Sequence, residues 1–271
     1  MKKYYNFILE RQESLRYYAF DVDDNLLFMS TKIHMDKKVN NEWIPVDVST
    51  EKFAIVRNDN ENYRIRNNNP QEAFAEFRDN GPRGNNAFLE DWIEAVNDKK
   101  FGPSWESFIS CLVNGSLFAI ITSRGHEPET IKSAVLWTID NVLSKRQYDI
   151  LLSNLSKFNR LFNVNPNKMI SHYLNDCTFC GIQSKYYTNL FGNVSAEEAK
   201  SKGIQLFAKH IDELTNKIGY RAILGFSDDD PKFVDSIKNL MRNELSLKYI
   251  NMGLSIVDTG NKGYKKEIIR K

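Results

Sequence analysis

Three carboxylates follow one another closely where an apolar, aromatic run stops: Tyr17-Tyr18-Ala19-Phe20-Asp21-Val22-Asp23-Asp24-Asn25-Leu26-Leu27. The run has the composition of a β-strand. In a parallel α/β sheet, the carboxyl end of a strand is where ligands bind. Asp21 and Asp23 are two residues apart, so an extended backbone aims both side chains the same way. Two carboxylates held side by side repel unless a cation or a shared proton relieves them. Mg²⁺ suits that role, because it is a hard ion that takes carboxylate and phosphate oxygens together. The pattern points to phosphate chemistry.

Three further pieces follow in order. Ile120-Ile121-Thr122-Ser123-Arg124-Gly125-His126 is a second apolar run, ending in hydroxyls and then a guanidinium. A helical pattern over 197–217 supplies lysines, of which Lys209 is preferred to Lys202 by its distance from the last strand. Leu224-Gly225-Phe226-Ser227-Asp228-Asp229-Asp230 is another apolar run that ends in carboxylates. Taken singly, each has a plainer explanation. Thr122 and Ser123 can cap the helix that Pro128 opens, although a helix N-terminus is itself an anion site. A helix lysine is ordinarily solvated, and acidic residues ahead of Pro231 complement a helix dipole.

The elements that must position these residues read as alternating strands and helices. Short apolar runs at 17–22, 117–122, 178–183, 222–226 and 248–257 have the character of buried parallel strands. Pro128 opens a helix carrying Ile131, Val135 and Ile139 at helical spacing, and Pro231 opens another. Ser195 caps a long helix that Gly219 ends. This alternation predicts an α/β fold with a Rossmann-like, doubly wound parallel sheet. The stretch 31–115 is far longer than a crossover needs. It opens with a hairpin, 32–39 and 42–48 about an Asn40-Asn41 turn, and continues with helical patterns at 70–78, 87–97 and 104–113. We therefore expect a core of residues 1–30 plus 116–271, with a helical insertion at about 144–176, and an inserted mixed α/β cap over 31–115.

The four pieces, in this order, resemble the motifs of the haloacid dehalogenase superfamily of phosphotransferases: Asp-x-Asp after the first strand, Thr or Ser after the second, a Lys, and an acidic cluster. The resemblance covers the core and not the cap. It implies that Asp21 is the nucleophile and that Asp23 protonates the leaving oxygen and later deprotonates water. It also implies that Mg²⁺ is held by Asp21, the backbone carbonyl of Asp23 and Asp228, supported by Asp229. Thr122 would bond a phosphate oxygen, Lys209 would offset negative charge, and Ser123, Arg124 and Asn25 would face the substrate. His126 is a weaker candidate for that contact. Asp23 favours phosphoryl transfer over carbon–halogen cleavage. Where many members of the superfamily carry Gly-Thr after the second Asp, this chain has Asp24-Asn25.

Composition narrows the classes. A formal net charge of +2 over 271 residues is too weak to argue for nucleic acid by itself. The cap does carry Arg57, Arg64, Arg66, Arg78 and Arg83 among aromatic residues that include Trp43 and Trp92. No apolar run is long enough to span a bilayer, and the start Met1–Glu10 turns charged too soon for a signal peptide. Three cysteines favour a reducing cytoplasm over a disulfide framework. Cys177 and Cys180, with His172 nearby, lack a second ligand pair and are expected in the core. The expectation is a Mg²⁺-dependent hydrolase of a small phosphorylated metabolite such as a sugar phosphate or nucleotide. The alternatives are a phosphatase for nucleic-acid 3′ ends and a non-catalytic protein that binds a phosphorylated ligand or a protein partner.

Overall fold

The computed structural model describes residues 14–162, 165, 168–260 and 263–271. The segment Met1–Glu10, and residues 163–164 and 166–167 of the expected helical insertion, lie outside the described residues. The chain forms an α/β structure around a six-stranded sheet. In chain order its strands are β1 (Ser14–Phe20), β5 (Phe118–Thr122), β6 (Thr178–Gly181), β7 (Arg221–Asp228), β8 (Gly253–Asp258) and β9 (Lys265–Arg270). Between β1 and β5, β2 (Ile33–Val39), β3 (Glu42–Val48) and β4 (Tyr63–Ile65) make a separate antiparallel sheet in the order β3-β2-β4.

The large sheet runs β6-β5-β1-β7-β8-β9, parallel throughout except for β9, which runs antiparallel to β8. The chain lays strands to one side of β1, then crosses to the other side at β7. The β1–β7 boundary is thus the switch point, where helices and loops diverge and leave a crevice. The lysine-rich edge strand β9 closes the far side with charge, which discourages edge-to-edge pairing.

Side chains alternate across the sheet and build a core on each face. Phe20, Phe118, Ile120 and Phe179 face the helices Ala87–Asn97, Trp105–Asn114, Pro128–Asn141, Lys145–Phe162 and Met169–Asp176. Tyr17, Ala19, Ile121, Leu224 and Phe226 face Ala196–Ile218 and Pro231–Leu240. Of the strand expected at 248–257, Lys248 instead ends the short helix Ser246–Lys248, and β8 begins only at Gly253.

The inserted segment divides differently from the expected 31–115. Phe88, Trp92, Trp105 and Phe108 are buried in the same core as Phe20 and Phe118, and Trp92 Nε1 donates to Thr138 Oγ1 at 2.9 Å. Residues 87–114 therefore belong to the sheet's own packing. What stands apart is a hairpin unit, residues 32–78, with its own small core of Ile33, Met35, Val48 and Val56 against Phe53, Phe74 and Phe77. Its turn is the expected Asn40-Asn41, both at positive φ (50° and 65°), which Asn tolerates better than most residues. The helix Thr50–Val56 follows, capped by Ser49, whose hydroxyl accepts from the Lys52 amide.

Candidate active site

The β1 strand ends at Phe20, beside Ser227 on β7, and the Asp21 amide donates to the Ser227 carbonyl at 3.0 Å. Beyond it the chain coils tightly. The amides of Leu26 and Leu27 both return to the Val22 carbonyl, and Asp24 sits at φ 56°, a left-handed conformation that Asp adopts more readily than most residues. Asn25 braces this coil. Its Nδ2 donates to the Asp21 carbonyl at 2.9 Å and to Ser227 Oγ at 3.1 Å, and its Oδ1 accepts from Thr259 Oγ1 at 2.8 Å. The expectation that Asn25 faces substrate is corrected: it is fully buried, and its amide is engaged within the protein. It serves to tie the ends of β1, β7 and β8 together.

Asp21 and Asp228, from neighbouring strands, converge on one ammonium. Lys200 Nζ lies 2.7 Å from Asp21 Oδ1 and 2.6 Å from Asp228 Oδ2, with its side chain 1% exposed. The second Asp228 oxygen accepts from the Asp230 amide at 3.0 Å. Burial alone would push Lys200 toward neutrality, but the two carboxylates overcome it and hold its pKa above the ordinary lysine value. Burial pushes the Asp21 carboxyl well above the usual range, with Lys200 opposing. Asp229 is pushed up to about 8 by burial and then by Asp228 and Asp24.

Oxygens of Asp21, Asp228 and Asp229 lie within 4.8 Å of one another. Three carboxylates around one lysine in a mostly buried place carry more negative charge than the lysine offsets, which a proton or a cation relieves, and the raised Asp21 and Asp229 values reflect this. An all-oxygen donor set of this kind fits a hard divalent cation.

Asp23 lies at the same mouth. Arg124 Nε and Nη2 grip its two oxygens at 2.9 and 2.7 Å. Arg124 was expected at the substrate; it borders the cavity, but its side chain is 1% exposed and its Nε and Nη2 are held by Asp23. His126 is corrected as well: it is buried against Phe88, and burial with Arg124 nearby lowers its pKa to about 3. Thr122 is fully buried at the end of β5, where its hydroxyl accepts the Arg124 amide at 3.4 Å. Of the two neighbouring hydroxyl residues Thr122 and Ser123, Ser123 is the one that lines the cavity.

Lys209 is not brought to the cluster. Its side chain is 63% exposed and pairs with Glu213, one helical turn on. Lys202 bonds the Phe191 carbonyl and Glu198. The lysine at the site is Lys200, which neither candidate anticipated. A signal was present in the helix itself: Lys200 occupies the buried stripe that continues through Gly203, Ile204, Phe207, Ala208 and Ile211, whereas Lys202 and Lys209 lie off it. A lysine on an apolar stripe calls for a buried anion.

A cavity of about 310 Å³ opens over these groups. The hairpin unit supplies its other wall through Ile33, Thr50, Phe53, Arg57, Phe74 and Phe77. Polar contacts fasten the unit down: Thr50 Oγ1 donates to Asp24 at 3.0 Å, Arg57 forks onto Asp230 at 2.6 and 3.1 Å, and the Phe77 carbonyl accepts from the Gly125 amide at 2.7 Å. The remaining arginines of this region hold protein partners. Arg64 pairs with Asp36, Arg66 with Asp36 and Asp47, Arg83 with Asp91 and Glu76, and Arg78 bonds Gln71. The basic track expected for an extended anion is thus largely internal pairing. All three cysteines are buried as free thiols, in keeping with core packing. No helix among the described residues is long and apolar enough to cross a membrane. Compared with protein-family models, with curated proteins and with solved structures, the chain gives no match in any of the three.

Proposed function

We propose that this protein is a Mg²⁺-dependent phosphomonoester hydrolase of the haloacid dehalogenase type, acting through an aspartyl-phosphate on a small phosphorylated metabolite. The observation that carries the reading is the meeting of Asp21, Asp228 and Lys200 at the sheet's switch point, with Asp23 at the same mouth. Three of the four sequence pieces that suggested the superfamily, far apart along the chain, border this one crevice through Asp21 and Asp23, Ser123 and Asp228, and the lysine beside them is Lys200 in place of the expected Lys209 or Lys202.

Asp21 is buried, fixed by backbone and lysine, and carries an oxygen suited to in-line attack on phosphorus. Lys200 holds that carboxylate in place and offsets the charge gathered around the phosphoryl group. Asp23 gives a proton to the leaving oxygen and then takes one from the hydrolytic water. Asp21 and Asp228, with Asp229 close by, would hold Mg²⁺, to which the resemblance adds the Asp23 carbonyl, and the ion would supply neutralisation of phosphoryl charge. The Ser123 hydroxyl, on the cavity-lining loop that follows Thr122, would bond a phosphoryl oxygen. A non-catalytic binder has no use for a nucleophile and an acid–base group at one mouth.

The cavity favours a small substrate. Its volume lies at the lower end of the roughly 300–1,000 Å³ of ligand pockets. The paired arginines around it offer little to a polynucleotide, which binds through many unengaged cations. A panel of phosphomonoesters assayed for phosphate release, with Mg²⁺ and with excess chelator, tests the reading. Turnover that chelation abolishes and Mg²⁺ restores supports it. Absence of turnover on every ester with Mg²⁺ present, or full turnover in chelator, rejects it.

A further inference from the structure

Arg124 is among the largest fully buried side chains of the protein, yet it serves a residue that lines the cavity. Besides its fork on Asp23, Nη2 donates to Thr31 Oγ1 at 2.9 Å, and Thr31 Oγ1 donates to Asp91 at 2.5 Å. Asp91 is itself held by Arg83 at 2.7 Å. The guanidinium lies 4.4 Å from the Phe77 ring centroid and 5.4 Å from that of Phe88. The next amide, Gly125, donates to the Phe77 carbonyl at 2.7 Å.

A planar fork matched to both oxygens of one carboxylate fixes its rotation as well as its distance. Packing alone does not explain the arrangement, because a buried ion pair seldom stabilises more than apolar residues of the same volume. Asp23 also keeps 18% of its side chain exposed at the cavity.

We propose that Arg124 is a positioning residue for Asp23, holding its carboxyl group in the one orientation that delivers a proton to the leaving oxygen. The inference rests on the hydrolase reading above. As the bond from Asp21 oxygen to phosphorus forms and the bond from phosphorus to the bridging oxygen breaks, the Asp23 proton passes to that oxygen, and a neutral alcohol departs. The Asp23 carboxylate then takes a proton from the water whose oxygen attacks phosphorus. Inorganic phosphate leaves, and both side chains return to their starting forms.

The test compares kcat/KM for glycerol phosphate and for p-nitrophenyl phosphate in the wild type, Arg124→Met, Arg124→Lys and Thr31→Val, each with Mg²⁺. This ratio covers steps only through departure of the leaving group, so the shared hydrolysis of aspartyl-phosphate drops out. An alkoxide needs the proton and a nitrophenolate does not. Arg124→Met should lose about 100-fold or more on the alkyl ester, the size of a general-acid contribution, and about tenfold or less on the aryl ester. Arg124→Lys should fall between, since an ammonium keeps the charge but not the fork, and Thr31→Val should show a smaller loss of the same sense. If Arg124→Met does not fold, the other two variants carry the comparison. Equal losses on both esters in folded variants overturn the proposal while leaving the hydrolase reading intact. No turnover of either ester by the wild type overturns both.

Discussion

The two walls of the cavity are built by different means. On the sheet side, Asp21, Asp228 and Lys200 are set by backbone: neighbouring strand ends, the Asn25 brace and a helix whose buried stripe carries the lysine. On the hairpin side, contact with the sheet region is made mostly through side-chain pairs, Thr50 with Asp24 and Arg57 with Asp230, whose partners remain partly exposed, with a backbone bond from the Gly125 amide to the Phe77 carbonyl at the unit's far end. Groups placed by strand register cannot shift without unmaking the sheet. Side-chain pairs over solvent are worth much less and can open. The difference suggests a division of labour, with chemistry on the rigid wall and admission and selection of substrate on the one that can yield.

Lys200→Met strikes the rigid wall hardest. It leaves Asp21 and Asp228 buried without their shared cation, which costs about 3–5 kcal/mol when a buried pair is broken. Denaturant unfolding should show that loss, and phosphate release should fall at least about 100-fold. Stability close to wild type would mean that the carboxylates do not depend on the lysine.

Asn25→Ala is the next largest. It removes the donor to Asp21 and Ser227 and the acceptor for Thr259, groups that remain buried. We expect about 1–3 kcal/mol of destabilisation by thermal or chemical unfolding, with kcat lowered more than KM is raised. A change in KM alone would return Asn25 to the role of a substrate contact.

How much was readable in the sequence follows the same division. The parallel strands, the Asn40-Asn41 turn and the carboxylates at strand ends were legible, because strand composition, turn chemistry and abrupt acidic termini are local signals. Lys200 was legible in principle, from its place on the apolar stripe of its helix, but distance along the chain pointed to Lys209 instead. The engagement of Arg124 with Asp23 was not legible at all. It joins residues 101 positions apart, and its local surroundings suit a substrate contact equally well. The boundary of the hairpin unit was missed because 87–97 and 105–114 have the amphipathic pattern of any helix, which does not say which core the apolar face will meet.

Arg57→Gln probes the yielding wall. Removing the fork on Asp230 should raise KM a few-fold and alter preference among leaving groups, with a stability change of about 1 kcal/mol or less. Steady-state kinetics on several esters checks this, and a loss confined to kcat would move Arg57 into the chemistry. Lys209→Ala should do least. An exposed lysine paired only with Glu213 should change stability by no more than about 0.5 kcal/mol and leave turnover as it was. A large loss of turnover in that variant would reopen the choice of lysine.

Asp21 is proposed to carry the phosphoryl group, and the most direct measurement is to trap it there. Protein turning over a phosphomonoester with Mg²⁺ is quenched in acid, digested and mapped by mass spectrometry. Phosphate is expected on the peptide that contains Asp21, lost when chelator is added and absent from Asp21→Asn. Sustained turnover with no phosphate on that peptide, or with phosphate on another residue, contradicts the proposal.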